Sequence, residues 1–218
     1  AKPGRVFLGL VHRLDRPVAG VMVFARTSKA AARLSAQIRE RRVRKVYLAV
    51  VEGRLPAAEG RLCDRLVRTE HGSRVAAGPA EAGSEARLAY RVRAVASGRS
   101  LVSVELETGR KHQIRVQLAH AGCPVAGDVR YGAPGPLPGG AIALFAHELE
   151  FEHPTRPERL TFTAPLPAGW PWEGVETADA PLWNWEDYTA VGPLARWPVC
   201  PGARANGSTG KRPSAGRA

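Results

Sequence analysis

The sequence has no apolar run near the ~20 residues that a membrane helix needs. Its first residues carry no secretory signal pattern, so no membrane partner and a cytoplasmic location are expected. Cysteine is scarce: Cys63, Cys123 and Cys200 are odd in number and far apart. They make no zinc-type pair and suggest no disulfide framework, which points to a reducing compartment. None of the six histidines stands at ligand spacing to them, so no metal and no other cofactor is expected. Internal repeats are absent. The chain begins without Met and reads as a processed or partial product.

Acidic residues are thin where basic ones are dense. The first 56 residues hold thirteen Lys and Arg against Asp15, Glu40 and Glu52, most of the formal net charge of +12. Clustered positive charge suggests a polyanion partner, most simply nucleic acid. The bland alternative is an Arg-rich proteome. With 218 residues, 44% of them hydrophobic, the chain can bury one sizeable core or two small ones.

The spacing predicts a helix over 27–42, capped by Thr27 or Ser28 and carrying Ala31, Leu34 and Ile38 as an apolar stripe. Its other faces carry Arg33, Gln37, Arg39, Glu40, Arg41 and Arg42, either a solvated face or a phosphate-contacting one. Residues 45–52 read as a strand with Lys45 and Tyr47 on one side and Val46, Leu48 and Val50 on the other. Residues 60–84 are weakly patterned and read as a loop or poorly defined hairpin. Alternation over 85–96 and 101–107, split by Ser97-Gly98, predicts an antiparallel hairpin. Ile114, Leu118 and Ala121, closed by Gly122, predict a helix whose start carries Arg110, Lys111 and Arg115. Cations are disfavoured there, and an anion on the free amides would offset that cost. Residues 142–151 and 159–163 read as two further strands.

Residues 12–20 draw most attention. Asp15 stands between Arg13 and Arg16, a turn from Pro17 to Gly20 follows, and Val21 to Ala25 reads as a buried strand. A carboxylate on a loop held by a core strand, flanked by cations, is a plausible reactive group for an anionic substrate. A solvated ion-pair cluster is the plainer reading.

Four stretches in order resemble the RluA-type pseudouridine synthases, which isomerise uridine in structured RNA. These are His12-Arg13-Leu14-Asp15 with Gly20; Lys45-Val46-Tyr47; Thr108 to Arg115 with Gly127-Asp128 and Tyr131-Gly132; and Leu144 through Glu148-Leu149 to His153-Pro154. The resemblance covers about residues 5–167. It implies an α+β fold, a mixed and mainly antiparallel sheet with flanking helices around a basic cleft. Asp15 would be the catalytic carboxylate, either a nucleophile at the sugar or a base in an elimination. Tyr47 would stack on the uracil and take part in proton removal; Arg115 would pair with Asp15. Leu144 would line the base pocket, and Arg13 would fill the gap left by the extruded uridine. His12, Leu14, Arg16 and Lys45 are the further substrate-binding candidates on the first two motifs. Arg110, His112 and Gln113 are those on the third.

The sequence also departs from the family. Val18-Ala19 replace a hydroxyl-bearing pair, and Gln117 stands where His is common. The usual upstream Asn-Lys-Pro strand is missing, as is an S4 domain, so the chain resembles an N-terminally shortened copy. The expected organisation is a catalytic domain over 1–170 and a Pro/Gly/Trp-rich, disordered tail over 171–218. The expected activity is isomerisation of uridine in large-subunit ribosomal RNA, with transfer RNA as the other substrate class, by a monomer. The rival is a non-catalytic RNA-binding remnant.

Overall fold

The computed structural model describes residues 7–172. All but the first two residues of the expected tail lie outside them. Ten strands and two helices follow one another. The strands are β1 (Gly9–Leu10), β2 (Ala19–Gly20), β3 (Phe24–Ala25), β4 (Arg44–Glu52), β5 (Glu59–Arg68), β6 (Ser73–Val75), β7 (Ser84–Ala96), β8 (Arg99–Leu106), β9 (Leu144–Glu152) and β10 (Arg159–Thr163). The helices are α1 (Ser28–Arg39) between β3 and β4, and α2 (Gln113–His120) between β8 and β9. The large sheet runs β10-β9-β4-β8-β7-β5-β6, with β2 joined to β9. Every pairing is antiparallel except β2 with β9, so the sheet is mixed and mainly antiparallel, as expected of an α+β fold.

The middle of the sheet is apolar on both faces. Val46, Leu48, Ala49, Val50 and Val51 of β4 are all essentially inaccessible. A strand covered on both sides reads as a continuous apolar run rather than a clean alternation. The β7–β8 hairpin closes through Ser97 (φ 51°) and Gly98 (φ 74°). Two left-handed residues make the tight turn whose twist matches its flanking strands. From α2, Ile114 and Leu118 pack into a cluster with Val50, Leu88, Val102 and Val104. From α1, Leu34 packs into another with Val43, Leu149 and Phe151.

Helix α1 matches its prediction closely. Thr27 is the N-cap, its hydroxyl accepting from the Ala30 N–H at 3.1 Å. Three polar residues of the predicted 27–42 stretch, Arg42 lying just past the end of α1, are spent on the protein, not on a phosphate face. The Gln37 amide donates to the Glu152 carbonyl and accepts from the Glu152 N–H, Arg33 donates to the Pro154 carbonyl, and Arg42 pairs with Glu40 and Glu152.

Three expectations are corrected. Residues 21–25 are not one buried strand. The parallel pairing to β9 stops at Gly20, the Val21 N–H reaches Ala146, and the Val23 N–H turns to the His12 imidazole instead of a neighbouring strand. Of the two readings of residues 60–84 the loop is wrong and the hairpin stands: the ten-residue β5, from Glu59, pairs with β7 over eight positions and turns back into the short β6. Most of β5 is only half-buried, so no alternation marks it. The second helix begins at Gln113, not at the cationic stretch. Arg110 and Lys111 lie in the loop before it, and Arg115, still in the first turn, is paired with the Asp128 carboxylate.

Candidate active site

A cleft of about 500 Å3 opens beside the loop that carries Asp15. Its walls come from that loop, the end of α1, the start of β4, and the segment from β8 into α2. Arg13, Arg39, Arg41, Lys45, Arg110 and Arg115 line it against two carboxylates, Asp15 and Glu107. His12, Leu14, Tyr47, His112, Gln113 and Leu144 also line it. Residues far apart in sequence are thus gathered as the motifs implied. Arg16 is the exception and lines a neighbouring cavity.

The loop is pinned at two points. Gly20 has φ +130°, and a Cβ there would lie 2.1 Å from the Ala146 carbonyl oxygen. Only glycine lets this backbone lie so close to β9. At the other point the Val23 N–H donates to His12 Nε2 at 3.0 Å. Burial, then the Lys45 charge, pushes the His12 imidazole down to about 4, so near neutral pH it is an uncharged acceptor. His12 therefore shapes the loop as well as lining the cleft.

Arg115 faces Asp15 from α2. Its Nη1 lies 3.6 Å from Asp15 Oδ2, but that is its weaker contact. Its Nε and Nη2 donate to the two oxygens of Asp128 at 2.6 and 2.8 Å, a bidentate pair with both side chains buried. The expected Arg115–Asp15 pair is present; in addition Asp128 clamps Arg115, which presents its remaining nitrogen to Asp15. Asp128 is visible in the sequence only as part of a Gly-Asp turn, with no sign of its partner. The Tyr131 ring lies 4.9 Å from the Arg115 guanidinium carbon and adds a cation–π contact.

Tyr131 also fixes His112. The Ser73 N–H donates to the Tyr131 oxygen, and the Tyr131 hydroxyl donates to the Ser73 carbonyl, both at 3.2 Å. The His112 Nδ1 lies 2.7 Å from the same Tyr131 oxygen, a hydrogen bond that holds the imidazole. Its Nε2 lies 3.9 Å from Asp15 Oδ2. Burial is the main cause that lowers the His112 pKa, with Asp15 opposing it. His112 has φ 55°, a left-handed conformation at the helix entrance that aims the ring this way.

Tyr47 and Lys45 form the β4 wall. Burial, then the Asp15 charge, pushes the Tyr47 phenol up to about 12, which keeps it protonated. Burial lowers the Lys45 ammonium. Gln113 is committed to the protein: its Oε1 accepts from the Thr108 hydroxyl at 2.8 Å and the Arg110 N–H at 3.0 Å, and its Nε2 donates to the Arg87 carbonyl. Arg13 is exposed and makes no ion pair with a described residue. Gln117 is buried, donates to Asp64 at 2.7 Å, and leaves its own carbonyl oxygen unpartnered.

This arrangement defines a class. The chain belongs to the RNA pseudouridylate synthase family, whose profile matches residues 2–120. It is 38% identical over 172 residues to the ribosomal large subunit pseudouridine synthase D of Xanthomonas campestris pv. campestris, covering 73% of this chain and 51% of that protein. It is 40% identical over 166 residues to an uncharacterized RNA pseudouridine synthase of Chloroflexus aurantiacus, covering 76% of this chain and 52% of that protein. The chain thus spans about half the length of the curated relatives it matches. Among solved structures it resembles human RNA pseudouridylate synthase domain containing 4, with a TM-score of 0.64 and 26% identity over 75% of this chain and 73% of that one. The human domain containing 1 is similar, with a TM-score of 0.63 and 25% identity over 74% of this chain and 70% of that one.

Proposed function

We propose that this chain isomerises uridine to pseudouridine in structured RNA, with large-subunit ribosomal RNA as the leading substrate class and transfer RNA as the second. The observation that carries this reading is Asp15 at the edge of a cationic cleft, facing an arginine that is itself locked by a buried carboxylate. The reaction breaks the bond between C1′ and N1, turns the base, joins C1′ to C5 and releases the C5 proton to water. Asp15 acts at the sugar, either by attack on C1′ or by removing the C2′ proton. A duplex buries this bond, so the uridine must be extruded. The surrounding cations attract the phosphate backbone, Leu144 and Tyr47 supply apolar walls for the base, and Arg13 is free to stack where the uridine has left. A phenol held near 12 is a poor base at neutral pH, which favours stacking over proton removal for Tyr47.

The rival, a non-catalytic RNA-binding remnant, draws on the missing hydroxyl at Val18-Ala19. Neither the Asp15–Arg115 contact nor the Tyr47 wall uses a hydroxyl there. The test is tritium release from transcripts labelled at uracil C5, one of large-subunit ribosomal RNA and one of transfer RNA. Release matched by pseudouridine formation is expected with the first. No release from either transcript, with RNA still bound, would establish the remnant.

A further inference from the structure

A second cavity adjoins the first. It encloses about 660 Å3 and shares Val18, His112 and Arg115 with the cleft that holds Asp15. Its charge differs from that of its neighbour. Arg16 from the Asp15 loop, His71 from the β5–β6 hairpin and Arg130 from the turn after Asp128 all line it; among the described residues no carboxylate lines it, and Glu70 lies 3.8 Å from the His71 ring. The Arg130 Nη1 donates to the His71 carbonyl at 2.8 Å, which braces that guanidinium against the hairpin. Arg16 is exposed and has no ion-pair partner among the described residues. The rim is bare: Gly139 and Gly140 lie along it, and a Cβ added to either would meet nothing within 4 Å. A concave site with two arginines, Arg16 and Arg130, that make no ion pair with a described residue, and with an open rim, attracts an anion that arrives on a bulky chain.

We infer that this second cavity seats a phosphodiester of the RNA strand next to the target uridine, between Arg16 and Arg130. The inference rests on the reading that the first cleft takes the uridine. An extruded nucleotide stays linked to its strand, so that strand must leave the cleft past one of its walls. The wall shared through Val18 and Arg115 leads straight to the second cavity. Guanidinium groups match phosphate oxygens in geometry as well as charge. Such a contact fixes the register of the strand without reading its sequence.

The test compares wild type, the double variant Arg16→Gln/Arg130→Gln, and Arg54→Gln, which removes an exposed cation outside both cavities. Melting curves establish that all three are folded. The probe is a fluorescein-labelled oligouridylate ten-mer, followed by anisotropy across a salt series. The double variant is expected to bind about tenfold more weakly at low salt. Its salt slope should be shallower by about 0.7 for each phosphate that it no longer neutralises. Arg54→Gln should stay within about twofold of wild type. Neutral methylphosphonate linkages, placed singly, should weaken binding to wild type at one or two positions and leave the double variant indifferent there. If the double variant behaves like Arg54→Gln, or if neutral linkages cost both proteins equally, the subsite does not exist. Inorganic phosphate should compete no better than chloride at equal ionic strength. Specific competition by it, abolished in the double variant, would mark a free-phosphate site and overturn the strand assignment. Tritium release from the labelled ribosomal transcript separates the two readings. Release without the binding differences sinks the subsite alone, whereas the binding differences without release sink the isomerase and uphold the subsite.

Discussion

Asp15 and Arg115 face each other across the cleft, but their supports differ in kind. The Asp15 loop joins the large sheet only through the two-residue β2 and is tied to the following segment by one histidine hydrogen bond, and the carboxylate side chain is 27% exposed. Arg115 stands on a helix, is 6% exposed, and is held by the Asp128 carboxylate, the Tyr131 ring and the packing of α2. The rigid side aims and the looser side stays open to substrate. A reacting group must be reachable, while the group that orients it gains from being fixed in advance. Burying a charge is costly unless it is paired, so the arginine carries a second carboxylate of its own.

That contrast sets the order of expected effects. The rigid side should be the more costly to disturb. Asp128→Asn leaves the buried Arg115 guanidinium without its main partner, and urea unfolding should show a loss of about 3–5 kcal/mol. Little change would mean that Asp15 can replace Asp128 as the anchor. On the looser side, Gly20→Ala places a Cβ 2.1 Å from a backbone oxygen at φ +130°. A loss of about 3 kcal/mol is expected. A smaller cost would mean that the loop moves off β9 cheaply.

The His12 anchor should show in the pH dependence. Its pKa is lowered from 6.5 to about 4 in the folded protein, so between these values the unfolded chain binds the proton more readily. Stability is then fully present above pH 6.5 and falls as pH drops to about 4. The expected size is about 2 kcal/mol, less than the full shift because the ring is partly solvated. His12→Gln should flatten that segment of the stability–pH curve; an unchanged slope would assign the proton elsewhere. The smallest effect belongs to Tyr131→Phe, which removes the hydroxyl between His112 and Ser73. About 1 kcal/mol should be lost, together with the directional hold on the imidazole. Nuclear magnetic resonance should then show both His112 tautomers, whereas one persisting tautomer would place its control elsewhere.

What can be read in the sequence follows how local each feature is. Helix α1 carries its own cap and stripe, and the β7–β8 turn carries its own left-handed pair, so both are legible. The motif residues also meet at one cleft as their order implies. Partnerships made across the fold are not legible. Nothing near Val21–Ala25 in the sequence says that the pairing to β9 will stop at Gly20, before this segment begins. Nothing in β5 announces its eight-position pairing, because its half-buried faces carry no clean alternation. The Arg110-Lys111 stretch looks like a helix start because the apolar period of α2 does not show where its first turn closes. The motif positions alone pair Arg115 with Asp15; the turn that returns Asp128 beneath it is a tertiary fact.

The most direct test of the central claim compares single-turnover tritium release by wild type and Asp15→Asn on the C5-labelled large-subunit transcript, with RNA affinity measured alongside. The substitution is nearly isosteric and removes the charge and nucleophilicity that bond cleavage needs. Wild type is predicted to release tritium, and Asp15→Asn to bind the transcript within about threefold of wild type while releasing none. If Asp15→Asn releases tritium at a rate comparable to wild type, the carboxylate facing Arg115 is not the reacting group and the account of this cleft is wrong.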